Sequence, residues 1–404
     1  MSSRIVPFSA PNPRGSTRVF DVALVGDGLV GMACAVAAGQ VGLRVGVMAA
    51  PHPAAAVEGE PWDRRVYAIS PASRRFLERI RIWSQMDQSR IAPVREMRVY
   101  GDAEQRAGVH FSAFQAGADA LAWIVEHREL ARVLGAALGY QQNVERIEAD
   151  AEEFRADSQG VTITSARGAV RAALLVAADG ARSKIRDAAG LASTIRSYEQ
   201  TAVVANFATP SGPKGIARQW FVREGVVALL PLPDDMLSLV WSAPTRLAAS
   251  LLDLDPAALA QRVQAVVGSD VRELRAVGGS SGFPLNLLST VRQTAMRLAL
   301  VGDAAHVVHP LAGQGLNLGL QDAEVLVDIL AARESFRDCG DPVLLRRYER
   351  ARSEAVWAMR QVTHGLQGLF SSSDQTMVRL RATGMKLVDQ IPVLKRALIR
   401  QAMG

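Results

Sequence analysis

The stretch DVALVGDGLVGMACAVAAGQVGLRVGVM, residues 21 to 48, constrains the fold more than any other part of the chain. An apolar run ends at Val25, the turn Gly26-Asp27-Gly28-Leu29-Val30-Gly31 follows, a helix of small residues comes next, and a second apolar run occupies 44 to 48. Gly26, Gly28 and Gly31 match G-x-G-x-x-G. The first glycine permits a tight turn, the second lets a pyrophosphate approach the backbone, and the third allows the helix to pack closely on the sheet. The unpaired N–H groups and dipole at the start of that helix favour an anion. A lone glycine pattern is weak, but the strand before it and the helix after it predict a Rossmann-like α/β domain that binds a dinucleotide.

One expected part is missing. An acid about twenty residues beyond the first glycine, at the end of the second strand, usually holds the adenosine ribose. Ala49 stands there, and the next carboxylate is Glu58. Asp27 also places a negative charge inside the phosphate turn. Either another group binds the ribose or affinity for the nucleotide is reduced.

Two further segments repeat the pattern of apolar run followed by a glycine–aspartate turn. ALLVAADGARSKIR (173 to 186) turns at Asp179 and Gly180, and RLALVGDAAH (297 to 306) turns at Gly302 and Asp303. Buried parallel strands read as unbroken apolar runs, and ligands bind beyond their carboxyl ends. Three such ends predict one extended ligand touched at three points. Beyond Pro310, Leu316, Leu320, Ala323, Leu326 and Ile329 recur at helical spacing, so a helix is expected to begin between Ala312 and Gly315. Gly313 and Gly315 would bare the amides of its first turn.

Composition narrows the remaining classes. A chain of 404 residues, 49% hydrophobic and 21% charged, can bury a sizeable core. Cys34 and Cys339 are too few for a disulfide framework, which fits a reducing cytoplasm. The net charge of +6 comes without a basic stripe of interleaved aromatics, so no nucleic-acid partner is expected. The apolar region from Val22 to Val47 is interrupted by Asp27, Gln40 and Arg44 and never reaches about 20 apolar residues in a row, so neither a signal peptide nor a spanning helix is expected. His306 and His309 are three apart but lack a third ligand at sensible spacing, and no metal is expected. Ser183 has no adjacent histidine to activate it.

Between Tyr198 and Phe283 the pattern changes. TAVVANFAT, ARQWFV, GVVALLPL and LSLVWSA are short segments rich in Val, Phe and Trp, separated by turn residues, and read as antiparallel strands. They define a substrate domain inserted between parts of the nucleotide domain, with Trp220, Phe221 and Trp241 as candidate pocket residues, core packing being the alternative for each.

The run LVGDAAHVVHPLAGQGLNLGLQDAEVL, together with GDGLVG, AADGARSKIR, DRRVYAIS (63 to 70), LAWIVEHREL (121 to 130), GFPL (282 to 285) and LRRYERAR (345 to 352), resembles the flavin-dependent aromatic hydroxylases of the p-hydroxybenzoate hydroxylase fold, the class A flavoprotein monooxygenases. It is most similar to their ubiquinone-biosynthesis branch, and the similarity spans nearly the whole chain. The resemblance implies FAD as cofactor, with its pyrophosphate cradled by Gly26, Gly28 and Gly31 and its ribityl chain held by Gly302 and Asp303. Asp179, Gly180 and Arg186 match a motif used near the pyrophosphate and the nicotinamide, and Arg65 and Arg128 match arginines that approach FAD. Pro310, Gly313, Gln314, Gly315, Leu316 and Asn317 would border the flavin, the amides of the Gly313 to Leu316 turn facing its pyrimidine edge, with His306 and His309 as structural neighbours.

The activity implied is hydroxylation of the aromatic ring of a polyprenylated phenol, with NAD(P)H and O2 as co-substrates and a flavin hydroperoxide as oxygen donor. No general base is assigned. Two alternatives stay open: a related hydroxylase of another aromatic, or a non-catalytic member supporting a biosynthetic complex, to which Ala49 and Asp27 lend weight. The division expected is a loose tail (1–17), FAD-binding parts (18–75, 98–190, 285–365), substrate-domain parts (76–97, 191–284) and C-terminal helices (366–404). In that last region Arg379, Arg381, Lys386, Lys395, Arg396 and Arg400 mix with apolar residues, as in a helical cover on the protein itself or an amphipathic pair on anionic lipid. The expected setting is cytoplasmic, with peripheral contact to the inner membrane, membership of a complex and a homodimer left open.

Overall fold

The computed structural model describes residues 18–51, 62–101, 108–210, 212–308 and 314–354. Strand β1 (Arg18–Val25) lies at the centre of an eight-stranded sheet, parallel to the Gly168–Ala177 strand on one side and to β2 (Val45–Ala49) on the other. Beyond these, Val144–Glu148 pairs with β2 and Leu298–Leu300 with Gly168–Ala177, both parallel. Val22 to Leu24 and Leu174 to Ala177 are buried, so side chains on both faces of these strands are covered. Unbroken apolar runs are the sequence consequence of that double burial.

Helix α1 (Leu29–Gln40) is buried from Leu29 to Gly39 apart from Val30, because it is sandwiched between the sheet and the helices His127–Gly139 and Gln314–Ala331. Its small residues, Ala33, Ala35, Ala37 and Ala38, let three helices and a sheet meet closely. Cys34 lies in this core, where burial pushes its thiol up to about 12; burial likewise raises Cys339 to about 11.

The second sheet also has eight strands. Ser193–Ala208 is flanked by Arg275–Thr290 and Met236–Pro244, followed by Gly225–Pro231 and Ile216–Val222, all antiparallel as expected. The turn that joins Gly225–Pro231 to Met236–Pro244 places Asp234 and Asp235 at φ 55° and 56°, a left-handed pair of the kind tight hairpins require. Glu96–Tyr100 and Gly108–Ser112 extend the sheet beyond Ile216–Val222, and the short His306–Val307 pairs with Arg275–Thr290 at the other edge. The strand boundaries thus depart from the division expected at 98 and 284, which cuts through Glu96–Tyr100 and Arg275–Thr290. Glu96 to Val99 alternate charged and apolar residues, which marks a strand but not the sheet it joins. A small third sheet joins β3 (Val66–Ile69), Ala122–Glu126 and Ala92–Val94.

Alternate residues of the second sheet pack beneath the helices Thr245–Leu252 and Pro256–Val267: Val203, Ala205, Phe207, Val227, Leu229, Leu237 and Leu239 share that core with Ala248, Leu251, Leu259 and Val263. The opposite face turns toward the first domain, where Asn206 Nδ2 donates to the carbonyls of Trp62 and Asp63, each at 3.2 Å.

The glycine turn makes one steric demand that concerns the protein alone. A Cβ on Gly31 would sit 2.2 Å from the Gly26 carbonyl oxygen, so the helix would have to lift from the turn. Gly31→Ala should cost about 1–3 kcal/mol, the usual range for overpacking, read as a lower urea midpoint at an unchanged slope.

Candidate functional site

Three turns stand in line where neighbouring parallel strands end. Gly26 N donates to Met48 O at 2.9 Å, Ala178 N to Val25 O at 2.8 Å, and Val301 N to Ala177 O at 3.0 Å, so each turn is anchored to the strand beside it. Gly26 has φ +105°, and a Cβ there would meet Ala178 O at 2.4 Å. Gly28 is different. Its φ of −66° suits any residue and a Cβ would meet no protein atom within 4 Å, so the protein itself does not require glycine there. What the missing side chain leaves open is the approach to the first amides of α1.

Asp179, at the second turn, accepts from Ile185 N through Oδ2 at 3.3 Å, while Oδ1 is buried without a partner. Ser183 is buried and caps the short helix Lys184–Ala188 by accepting from Arg186 N at 3.0 Å. Arg186 is also buried, and its guanidinium donates to Ala181 O and Ala304 O, tying the second turn to the third from behind.

At the third turn Asp303 is exposed, whereas its neighbour Gly302 is buried. Protein crowds the carboxyl on the sides away from solvent, and this desolvation raises its pKa; His306 and Arg65 oppose the rise and Asp322 adds to it. Gly302 N donates to Asp322 Oδ2 at 2.9 Å, His306 Nε2 lies 2.7 Å from the same oxygen, and Arg352 Nε donates to Oδ1 at 2.6 Å. Burial alone would raise the Asp322 pKa, but the nearby His306 ring, the Arg352 guanidinium and the Gly302 amide bring it below the ordinary value. His306 therefore faces a carboxylate. His309, Pro310 and Gly313 lie outside the described residues.

The helix Gln314–Ala331 starts within the interval expected, with Leu316 against the α1 core. Asn317 is buried, and its amide accepts from Ser70 N at 2.9 Å and donates to Ala68 O at 2.8 Å, which seats the helix on the junction between β3 and α2 (Pro71–Arg79).

Arg65 is exposed, with its guanidinium over Tyr67 at 5.5 Å and over Phe283 of the second sheet at 5.7 Å. Asp63 accepts from the amides of Arg65 and Arg128, and Arg128 Nη2 lies 3.3 Å from buried Glu126. Tyr67 Oη and His127 Nδ1 are 3.3 Å apart beside these groups. Burial pushes the Tyr67 hydroxyl up to about 12 and lowers the His127 pKa, the latter reinforced by Arg65.

The placement of the aromatic candidates needs correction. Trp220 and Trp241 belong to the core under the two helices, Trp220 stacked on Tyr100 at 5.2 Å, so they face away from the first domain. The helix-covered face takes the large indoles because it is the fully buried one. Phe221 alternates with Trp220 and is on the other face. There Tyr198, Ala202 and Leu285 cluster with Val240 and Leu287 into an apolar surface. Sequence reasoning also missed Asp322 and Arg352. The available signal was an acid at position 322, four residues after Leu318 on the buried stripe of the helix.

The geometry is that of a nucleotide-binding α/β protein, with glycine–aspartate turns at three neighbouring strand ends and a second, largely antiparallel sheet. A family model described as FAD binding domain matches residues 19–363, and the chain belongs to that family of FAD-dependent monooxygenases. It is 34% identical to the ubiquinone hydroxylase UbiL of Rhodospirillum rubrum, covering 98% of this chain and 93% of that protein. It is 30% identical to the 3-demethoxyubiquinol 3-hydroxylase of Escherichia coli, covering 95% and 98% respectively. Among solved structures, p-nitrophenol 4-monooxygenase PnpA of Pseudomonas putida superimposes with a TM-score of 0.76 at 19% identity over 96% of this chain and 99% of its own, a likeness of fold. The residues present fit FAD: the Gly28 opening at a helix start, the unpartnered Asp179 oxygen and the exposed Asp303 carboxylate stand at three neighbouring strand ends.

Two measurements separate ligand demands from fold demands. Gly28→Ala should weaken FAD at least tenfold while changing stability by less than about 1 kcal/mol, because the added methyl occupies only ligand space. Asp322→Asn should cost about 3 kcal/mol at pH 7 by leaving the buried Arg352 guanidinium unpaired. Because its carboxyl has a depressed pKa when folded, the stabilisation it adds is complete above the ordinary carboxylate range. The gap between wild type and variant in denaturant titrations should therefore shrink as pH falls below about 4.

Proposed function

We propose that this chain hydroxylates the aromatic ring of a polyprenylated phenol in ubiquinone biosynthesis, with NAD(P)H and O2 as co-substrates. The observation that carries the proposal is the set of three glycine- and aspartate-bearing turns at neighbouring strand ends, in a chain whose residues 19–363 match the FAD binding domain. The named activities of the relatives support the substrate class. Bound FAD supplies the redox chemistry and the activation of oxygen.

The protein's own residues do the rest. The amides at the start of α1 receive the pyrophosphate through the opening at Gly28. Asp303, an acceptor when ionised, takes hydroxyl donors of the ribityl chain. The amides at Gly315 and Leu316, at the start of the long helix, favour negative charge beside them. The apolar sheet face holds a ring and excludes water, which protects oxygen transfer from side reactions.

Among the described residues no helix is long and apolar enough to cross a membrane. A polyprenyl substrate nevertheless resides in lipid, so the reading includes peripheral contact with the inner membrane, through the basic 376–404 region or a biosynthetic complex; that region lies outside the described residues. A homodimer is compatible with it.

The test is NAD(P)H oxidation by the purified protein with a panel of prenylated and unprenylated phenols under labelled O2. Stimulation by prenylated phenols with label in the ring is expected. Stimulation by other aromatics alone would make it a related hydroxylase, and a colourless protein that takes up no flavin would make it a non-catalytic member. Asp303→Ala should remove a charge-assisted hydrogen bond of roughly 1.5–3 kcal/mol, weakening FAD about tenfold to a hundredfold; unchanged flavin affinity would refute that role.

A further inference from the structure

The adenosine end of the groove lacks its usual acid, since β2 ends at Ala49. The neighbouring strand Val144–Glu148 compensates in an unexpected way. Arg146 pairs in register with Val47, and its guanidinium reaches past β2 to Asp27 in the glycine turn, Nη2 to Oδ2 at 3.0 Å. The ion pair thus spans from the Val144–Glu148 strand to the tip of β1, across the end of the strand that should carry the ribose-binding carboxylate. Both members stay accessible, Asp27 at 19% and Arg146 at 51% side-chain exposure. Glu148, directly opposite Ala49, is 63% exposed and lies 3.4 Å from Arg167.

Resting on the FAD assignment, we propose that Asp27, oriented and neutralised by Arg146, supplies the carboxylate that binds the adenosine ribose hydroxyls of FAD in place of an acid at position 49. Arg146 engages Oδ2 and leaves Oδ1 to accept hydroxyl donors; a carboxylate is acceptor-only. An isolated Asp27 beside a pyrophosphate would repel it. The adjacent guanidinium cancels most of that field at the distance of the phosphates, so the acid is retained for hydrogen bonding without its electrostatic penalty. The alanine at 49 leaves room for the pair to lie over the strand end.

The decisive point is the sign of one substitution. If Asp27 only opposes the phosphates, Asp27→Asn tightens FAD; if it binds the ribose, the same change weakens FAD. Full-length protein stripped of flavin is titrated with FAD by fluorescence, and ADP and 2′,3′-dideoxy-ADP are measured by competition. We expect about a tenfold or greater loss of FAD affinity for Asp27→Asn and a smaller loss for Arg146→Gln that vanishes in the Asp27→Asn background. Wild type should prefer ADP to its dideoxy analogue, and Asp27→Asn should not. Introducing Ala49→Glu into Asp27→Asn should restore affinity. Equal or tighter FAD binding by Asp27→Asn, or no preference for ADP over the dideoxy form in wild type, overturns the proposal alone. Failure of wild type to bind FAD at all overturns the cofactor assignment as well.

Discussion

The groove depends on a single buried carboxylate. Asp322 gathers the Gly302 amide, the His306 ring and the Arg352 guanidinium around its two oxygens. Burying such a charge is costly, and removing a partner from a buried pair costs several kcal/mol. Here the compensation is complete enough that the acid is held ionised. Its reach sets the geometry of the site: it fixes the third turn to the helix Gln314–Ala331, and through Arg352, which also donates to Leu318 O, it binds a segment thirty residues further along to the same helix. Asn317 performs the matching task toward β3 and α2. The turn that carries Asp303 and the helix whose amides face the groove are therefore positioned by one network.

The two sheets divide the labour by polarity. The first presents backbone turns and carboxylates, suited to a charged, hydroxyl-rich cofactor. The second presents side chains of Tyr198, Ala202, Val240 and Leu285, suited to an apolar ring. The second sheet meets the segment around β3 through an apolar cluster, Trp62, Ala92, Val94 and Ile124 against Ala217, Leu232 and Met236, and through polar contacts: Asn206 to the Trp62 and Asp63 carbonyls, Arg64 to Ser280 O and Ser281 Oγ, and Arg65 over Phe283. Together these contacts fix the second sheet against the segment that precedes and includes β3.

Much of this was legible in the sequence, and the reason is burial. Strands covered on both faces must be apolar throughout, so the three strand ends stood out as runs broken by glycine and aspartate. The antiparallel segments were visible through their aromatic and β-branched content and their turns. What alternation cannot reveal is which face lies under helices, so for Trp220 and Trp241 the sequence leaves pocket and core both open, and the structure places them in the core. Glu96 to Val99 alternate as a strand does, but nothing local tells which sheet they join. Ion pairs between distant segments, Asp322 with Arg352 and Asp27 with Arg146, leave no local trace, and the second made Asp27 look like a defect.

The sealed cysteines have a consequence for the protein's durability. A sulfhydryl is attacked by oxidants chiefly as its anion, and at neutral pH the anionic fraction of Cys34, with its pKa pushed up to about 12, is negligible; Cys339 is scarcely different. A catalyst that admits dioxygen to its interior is exposed to partly reduced oxygen whenever a turnover misfires. With both sulfur atoms kept protonated behind packed side chains, that leakage finds no thiolate to damage, and the α1 core is spared a polar, swollen lesion at its centre.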